Sequence, residues 1–360
     1  MQKSIEVEYW VTDRDGVLTR PGELTDVSAY TEAEFVDCLF ELKTPPCESI
    51  DELRSTVIEQ LDAVLERAAE LDKRLVPLGT PINCESMDMK TDERGRIQKR
   101  VVGSDFKFAK YCAGTHVHFE QRNVTDQLNA LIALDPALAL CNSSPYYQGD
   151  QIASSARAYL YRKGCYQQFP KHGQLWQYVD TVAEWNRRLE TSLEEFKESA
   201  KERGISEAKV DAHFSTDDAV WTPVRLREEM PTVEWRSPDA TLPSQLLRLV
   251  GEMNTIMEEI HHTNVRIGEG TGEWTAEEIV LPEFERLDEY AKAAMVDGLE
   301  STEVSRYLER MGFRVEEYDP LTADFETKGQ VPLERARELR LRNAERLIRD
   351  VESLKSAEYE

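Results

Sequence analysis

The chain has 360 residues, of which 69 are acidic and 44 are basic, so its formal net charge is −25. Because binding to nucleic acid or to an anionic membrane relies on a surplus of Lys and Arg, we expect neither partner. No segment approaches the ~20 consecutive apolar residues that span a bilayer, and the N-terminal residues lack the pattern of a signal peptide. Apolar residues make up 40% of the chain, which favours a large hydrophobic core over disorder.

The basic residues are mostly arginine, since only 15 of the 44 are lysine. An acidic surplus with little lysine is typical of proteins in a salt-rich cytosol, where ions screen the repulsion between carboxylates. A halophilic source is therefore one hypothesis, and an ordinary acidic cytosolic protein is the alternative. The six Cys are scattered without a C-x-x-C pair, which predicts reduced, buried thiols in a cytoplasmic protein rather than a zinc site.

The first 105 residues predict strands around one long helix. Residues 4–11 alternate between apolar and polar side chains, which is typical of a strand with one buried face. Ser49 and Glu52 have the spacing of a capping box, so a helix begins there and follows an apolar stripe to about Leu75. The other predicted segments are a strand at 35–42, a buried strand and turn at 75–81, and a long polar loop at 84–105. The sequence leaves open whether this loop closes over a site as a lid.

The remaining residues predict more helices than strands. Strand-like segments lie at 111–120 and 232–237, and turn-forming residues predict loops at 140–150 and 268–272. Apolar residues at helical spacing predict helices at about 128–132, 175–196, 246–260 and 333–354. No repeat or linker divides the chain, so we expect residues 1–360 to form one α+β domain that is helical from about residue 275.

Three predicted strands each place two charged or metal-binding side chains on one face. These pairs are Glu6 with Glu8, His116 with His118, and Glu234 with Arg236, and Glu41 adds a carboxylate from a fourth strand. Each pair alone is typical of the solvated face of an antiparallel sheet. If the strands are neighbours, however, their polar faces form a cup of ligands for divalent cations, with one arginine suited to phosphate. This combination favours phosphoryl transfer from ATP with Mg²⁺.

Other catalytic and nucleotide-binding signatures are missing from the sequence. There is no P-loop, and the glycine-rich residues 268–272 lack the preceding strand of a dinucleotide-binding turn. The set of protein-kinase motifs is also missing. No Cys has a His partner nearby in sequence, which favours buried thiols over a nucleophile.

Six motifs, taken in chain order, resemble those of the glutamate–cysteine ligase family 2, a family of carboxylate–amine ligases related to glutamine synthetase. They are IEVEYWV at 5–11, FELKTPPC at 40–47, LVPLGTP at 75–81, AGTHVHFE at 113–120, NSSPYYQG at 142–149 with SSARA at 154–158, and VEWRSPDA at 233–240. The resemblance implies a curved, mostly antiparallel sheet that forms a funnel, with helices packed on its outer face. Together with the acidic charge, it favours a halophilic archaeon as the source.

The resemblance also implies roles for residues within these motifs. The ligands of Mg²⁺ would be Glu6, Glu8, Glu41, His116 and Glu234. Glu234 and Arg236 would be catalytic, with Arg236 in contact with the transferred phosphoryl group, and His118 would lie near the ATP. The residues that help to hold the amino-acid substrate would be Asn142, Ser144 and Arg157.

The implied activity is ATP-dependent joining of the γ-carboxylate of glutamate to the amine of cysteine through an acyl phosphate. The turn Gly79-Thr80-Pro81 lacks the His that the family usually has before the Pro, so a ligase for another carboxylate or amine stays an alternative. A non-catalytic sensor of nucleotide or amino acid is a second alternative. We expect small-molecule substrates, and the acidic amphipathic helices near the C-terminus could pack between subunits of a homo-oligomer.

Overall fold

The computed structural model describes residues 1–89, 92–169, 171–228, 230–325 and 329–357. The strands are β1 (Lys3–Asp13), β2 (Thr31–Ala33), β3 (Leu39–Lys43), β4 (Lys73–Val76), β5 (Thr115–Glu120), β6 (Tyr146–Tyr147), β7 (Asp150–Gln151), β8 (Val224–Arg227), β9 (Thr232–Trp235), β10 (Asn264–Gly268), β11 (Glu273–Trp274) and β12 (Glu278–Pro282). The helices are α1 (Ile50–Glu70), α2 (Glu93–Val102), α3 (Val124–Ala133), α4 (Ala156–Tyr159), α5 (Val182–Glu202), α6 (Glu207–Asp211), α7 (Thr216–Ala219), α8 (Pro243–Glu259), α9 (Phe284–Val296), α10 (Thr302–Arg310) and α11 (Leu333–Ser356).

Seven strands form one antiparallel sheet in the order β2–β3–β1–β5–β9–β8, and β4 pairs with the second half of β1. The fold is thus α+β with a mostly antiparallel sheet, as predicted. The register places Glu6 of β1 opposite His116 of β5 and Glu8 opposite Glu41 of β3. Directly opposed residues in a sheet point to the same face, so these side chains gather on one side.

The other face of the sheet belongs to the hydrophobic core. Ile5, Val7 and Tyr9 on β1 are at most 1% exposed, and α1, α3, α8 and α11 contact strands of the sheet. The capping box predicted for α1 is present in part. Ser49 Oγ accepts a hydrogen bond from Glu52 N at 3.0 Å, while the Glu52 carboxylate accepts one from Glu48 N at 2.6 Å instead of Ser49 N.

Several predicted boundaries differ from the structure. The first long helix ends at Glu70 rather than near Leu75, and the strand predicted from residue 111 begins at Thr115. The second predicted strand begins at Leu39 rather than residue 35, because Leu39 N bonds back to Val36 O in a turn. The predicted long helix at 175–196 begins only at Val182, where Thr181 caps it. The preceding segment is extended because the side chain of Asn129 pairs with both the N–H and the C=O of Val179.

Residues 84–105 were expected to form a loop, but they contain α2. Asp92 caps this helix by accepting a hydrogen bond from Gly95 N at 2.7 Å, and Ile97 and Val101 are buried. These two apolar residues are four apart, which is helical spacing hidden among charged neighbours. Residues 90 and 91 of the predicted loop lie outside the described part of the chain.

The structure adds elements that the sequence did not predict. A second sheet has the order β10–β12–β11, and α4 continues into a π-helical turn at Leu160–Cys165. All six Cys are free and buried, as predicted. Among the described residues, every helix is too short or too polar to span a bilayer.

Candidate active site

The polar face of the main sheet lines a cavity of about 520 Å³, which we call the cup. The side chains that line the cup are mostly acidic at one end of the strand order and mostly basic at the other. An acidic wall formed by β1, β2, β3 and the residues beside them carries Glu8, Glu32, Glu34 and Glu41. A basic wall formed by β8, β9 and α4 with the residues beside them carries Arg157, Arg225, Arg227 and Arg236. The two walls meet at Glu6 of β1, His116 and His118 of β5, and Glu234 of β9, and we call β1, β5 and β9 the central strands.

The carboxylates and imidazoles of the cup form three groups that could each hold a cation. Within each group, one ligand atom from every member lies within 4.8 Å of the others. The groups are Glu6 with Glu41 and His116, Glu6 with His118 and Glu234, and Glu8 with Glu34 and Glu41. Because Glu6 and Glu41 each belong to two groups, the three positions are contiguous.

The central strands form the most closely connected part of the cup. His116 Nδ1 is 3.0 Å from Glu6 Oε2 and 3.5 Å from Glu234 Oε1. Burial, with help from Arg236, lowers the pKa of His116 to about 4, so this imidazole is neutral near pH 7 and can act as a ligand. Burial alone would raise the pKa of Glu6, but its hydrogen bond with His116 and the nearby His118 hold that pKa below its usual range.

The acidic wall has the opposite electrostatics. Burial, reinforced by Glu34, raises the pKa of Glu8 to about 8 and also raises that of Glu41, although Lys43 Nζ lies 2.9 Å from Glu41 Oε2 and opposes the rise. Glu8 Oε2 nevertheless accepts a hydrogen bond from Gly114 N at 2.6 Å, which fixes its position. Without a cation, the Glu8 carboxyl group is therefore protonated near pH 7, and a bound divalent cation would displace its proton.

The basic wall is held by backbone carbonyls and aromatic rings. Arg157 Nη1 donates to Arg236 O at 3.1 Å and to Ser237 O at 3.0 Å. Its guanidinium lies 5.4 Å from the ring centre of Tyr161, which stacks on Trp221 at 4.2 Å. Arg236 lies 5.4 Å from the ring centre of Trp221. These cation–π contacts orient the guanidinium groups before any substrate binds.

Two local features surround Arg157: a glycine at position 114 and a π-helical turn after α4. A Cβ atom at position 114 would overlap the Arg157 guanidinium, so only glycine fits between that side chain and the start of β5. The π-helical turn begins three residues after Arg157, at the end of α4, and carries Tyr161. Such turns are frequent at functional sites, because the extra residue re-aims the side chains around it.

Several buried atoms of the cup fit a bound cation. His118 Nε2 and both carboxylate oxygens of Glu234 are buried and lack a hydrogen-bond partner among the described residues. Arg236 Nε lies 3.1 Å from Glu234 Oε1. Burial would raise the pKa of Glu234, but the charge of Arg236 outweighs this effect and the pKa falls to about 2. An ionised carboxylate and an imidazole nitrogen that lack hydrogen-bond partners are suitable ligands for a divalent cation.

The sequence model of glutamate–cysteine ligase family 2 matches residues 10–331. The chain belongs to this family. The match begins after Glu6 and Glu8, so the placement of these two residues in the cup rests on the sheet register. Among curated proteins, no sequence matches the chain.

Solved structures share the fold of this family member at low sequence identity. The glutamate–cysteine ligase of Francisella tularensis in complex with AMP has 13% identity and a TM-score of 0.58, over 99% of this chain and 91% of that one. A bifunctional glutathione synthetase from Pasteurella multocida has 15% identity and a TM-score of 0.55, over 97% of this chain. This chain spans about half of the Pasteurella protein, since the match covers 52% of it.

Most residues predicted for the ligase site line the cup; His118 does not line it but belongs to a cation group with Glu6 and Glu234, and two others lie apart from the cup. Asn142 and Ser144 are at most 1% exposed and do not line the cavity. The Asn142 amide donates to Ser154 Oγ at 2.9 Å, and the Ser144 hydroxyl pairs with Thr80 Oγ1 at 2.6 Å. The structure therefore does not place them where a substrate in the cup could reach them, and we do not extend their predicted role.

His118 lies closer to the cation groups than its predicted role near ATP requires. It is fully buried, with Nδ1 3.1 Å from Thr232 Oγ1 and Nε2 3.8 Å from Glu6 Oε1. In the sheet it stands opposite Glu234. This position favours a ligand of a cation over a direct contact with the nucleotide.

Sequence reasoning missed several residues of the cup. They are Glu32, Glu34, Lys43, Tyr161, Trp221, Arg225 and Arg227. The missed acids and arginines follow the same alternation that revealed Glu6 and Glu8, since both pairs are two residues apart. Their strands have only three and four residues, too few for alternation alone to identify.

Proposed function

We propose that this family member joins the γ-carboxylate of L-glutamate to the amine of L-cysteine at the expense of ATP, with Mg²⁺ as cofactor. The observation that carries the proposal is the geometry of the cup. Cation ligands that lack hydrogen-bond partners lie on the same face of the sheet as the arginines of the basic wall. Family membership supports the class of reaction. The identity of both amino acids is the part of the proposal that needs a direct test.

In the first step, an oxygen of the γ-carboxylate attacks the terminal phosphorus of ATP. The phosphoryl group moves to that oxygen, and ADP leaves with the electrons of the broken bond. Arg236 would donate to the oxygens of the transferred group, and Arg225 and Arg227 lie beside it on the same wall. Mg²⁺, held by the central glutamates and imidazoles, would offset the charge of the triphosphate.

In the second step, the neutral amine of cysteine attacks the activated carbonyl carbon. Phosphate leaves, the nitrogen loses a proton and an amide bond remains. Arg157 presents a cation beside the site from a position fixed by two backbone carbonyls, and it would bind a substrate carboxylate. Because one cavity holds both amino acids, the amine and the activated carbonyl carbon lie close together, which lowers the entropic cost of this step.

The test is a matrix of reactions that measures ADP and phosphate in molar KCl. With Mg-ATP present, glutamate and cysteine are added together, singly, and with each replaced in turn by other amino acids. We expect turnover only with both, and γ-glutamylcysteine as the product by mass spectrometry. Turnover with a different pair would overturn the named substrates, and thermal stabilisation by ATP without any turnover would indicate a sensor.

We also propose that the acidic charge adapts the enzyme to a salt-rich cytoplasm. Salt screens the repulsion among surface carboxylates, so we expect both folding and activity to increase between dilute buffer and molar KCl. Circular dichroism and turnover measured across this range would check the proposal. Equal folding and activity at both extremes would contradict it.

A further inference from the structure

Lys43 lies among the carboxylates of the acidic wall. Its Nζ is 2.6 Å from Glu32 Oε1, 2.9 Å from Glu41 Oε2 and 4.0 Å from Glu6 Oε1. The strand β3 places Lys43 two residues after Glu41, so both side chains extend from the same face. The register sets Lys43 directly opposite Glu6 on β1. Sheet geometry therefore holds this ammonium group at the cup.

The position of this ammonium group coincides with one of the three cation groups. Glu6 and Glu41 form that group together with His116, and Lys43 contacts the carboxylates of both. An ammonium group is a compact charge with three donors, which suits several carboxylate oxygens at once. A divalent cation bound between Glu6 and Glu41 would compete with Lys43 for the same oxygens.

Glu32 holds the ammonium group from outside the cation groups. It is not a member of any of the three, yet it makes the shortest ion pair of Lys43, at 2.6 Å. Glu32 stands opposite Glu41 in the pairing of β2 with β3. The side chain of Lys43 is one-third exposed and that of Glu32 is 55% exposed, so solvent partly screens this pair, and its role is to hold the ammonium group in place.

We propose that the ammonium group of Lys43 takes the cation position between Glu6 and Glu41, so that the protein binds divalent cations at no more than two of its three groups. The two remaining positions are the group of Glu6, His118 and Glu234 and the group of Glu8, Glu34 and Glu41. Lys43 is thus a positioning residue, which aligns shared ligands before metal arrives. This inference rests on the proposed role of the cup as a metal site.

The experiment counts bound Mn²⁺ on metal-free protein, by the electron paramagnetic resonance signal of the free ion, in KCl without nucleotide. We expect at most two ions per chain in the wild type and one additional ion in Lys43→Met, which keeps an unbranched side chain but has no charge. Lys43→Arg keeps a charge and should match the wild type. The control is Lys292→Met, an equal change of net charge at an exposed helix position that pairs with Asp288.

Equal counts for Lys43→Met and wild type would overturn the proposal, as would three ions in the wild type or an extra ion in the Lys292→Met control. If neither Lys43→Met nor the wild type binds Mn²⁺, the cation positions do not exist and the proposal is also overturned. Should circular dichroism show that Lys43→Met is unfolded, Lys43→Gln replaces it. A wild type that binds Mn²⁺ but forms no ADP would refute the ligase function, while the Mn²⁺ counts would still decide the role of Lys43.

Discussion

The two walls of the cup differ in what holds their charges in place. On the acidic wall, burial and the nearby Glu34 raise the pKa values of Glu8 and Glu41, so a bound cation favours the ionised form of these groups. On the basic wall, Arg157 donates to backbone carbonyls and Arg236 lies over an aromatic ring. Half of the site thus depends on an ion from solution, whereas the other half is set by folding. The comparison implies that damage to the acidic wall can be offset by metal, and damage to the basic wall cannot.

The largest effect is expected on the basic wall. Arg236→Ala, and likewise Glu234→Gln beside it, should lower kcat on the order of 10²-fold or more, because each removes a charge aimed at the reacting groups. Raising Mg²⁺ should not restore the Arg236 variant. Turnover is measured over a range of Mg²⁺ concentrations, with Arg266→Ala as the control, since Arg266 pairs with Glu278 on a different sheet. Near-normal turnover in both variants would refute the assignment of the site.

The acidic wall should appear in the pH dependence of stability. The pKa of Glu8 is raised from 4.5 to about 8 in the folded protein, so between these values the folded state binds more protons than the unfolded state. Metal-free protein should therefore lose stability as pH rises through this window, by on the order of 5 kcal/mol. Urea unfolding at fixed KCl measures the stability of wild type relative to Glu8→Gln, which does not titrate, and the wild type should become progressively the less stable of the two as pH rises. A pH-independent difference would show that Glu8 ionises normally.

Glu41→Gln should have a moderate effect that metal can reverse. Removing one carboxylate from two cation groups weakens the binding of Mg²⁺, and we expect the Mg²⁺ concentration for half-maximal rate to rise about 10-fold, or ~1.4 kcal/mol. At saturating Mg²⁺, kcat should recover most of its wild-type value. Glu66→Gln on the exposed side of α1 is the matched control. A fall in kcat that persists at all Mg²⁺ concentrations would contradict the claim that metal can offset damage to the acidic wall.

The smallest effect is expected for the ring that supports Arg236. Trp221→Leu removes the cation–π contact, which is worth about 0.5–1 kcal/mol at a partly exposed site, so kcat should fall about three-fold. Trp221→Phe keeps a ring and should retain most of the activity. Steady-state kinetics at saturating substrates separate the two variants. An equal loss in both would indicate a packing role for the ring rather than orientation of Arg236.

The sequence was sufficient to predict which side chains of the central strands share a polar face. Strand alternation is a local property, so Glu6, His116 and Glu234 could be assigned to polar faces before any pairing was known. Strand order and register depend on contacts between distant residues, and these decide that Glu6 lies opposite both His116 and Lys43. The role of Lys43 was therefore invisible in the sequence, although it lies within a recognised motif.

Polar residues within motifs are where the predicted site and the geometry of the cup differ. Asn142 and Ser144 belong to a run of turn formers, and their hydrogen bonds to Ser154 and Thr80 are internal to the fold. A sequence motif does not distinguish a side chain that contacts substrate from one that fixes the loop carrying it. The helix α2 was missed for a different reason, since its few apolar residues are surrounded by charge.

Gly114 has a consequence for how this family can change over time. Its N–H positions Glu8 on the acidic wall, and its missing Cβ leaves space for the guanidinium of Arg157. A side chain at position 114 would therefore be incompatible with a long cation at position 157, although 43 residues of sequence separate the two. We expect relatives to vary these two positions together, and a survey of the family for glycine at the first and arginine at the second would show whether they are inherited as a pair.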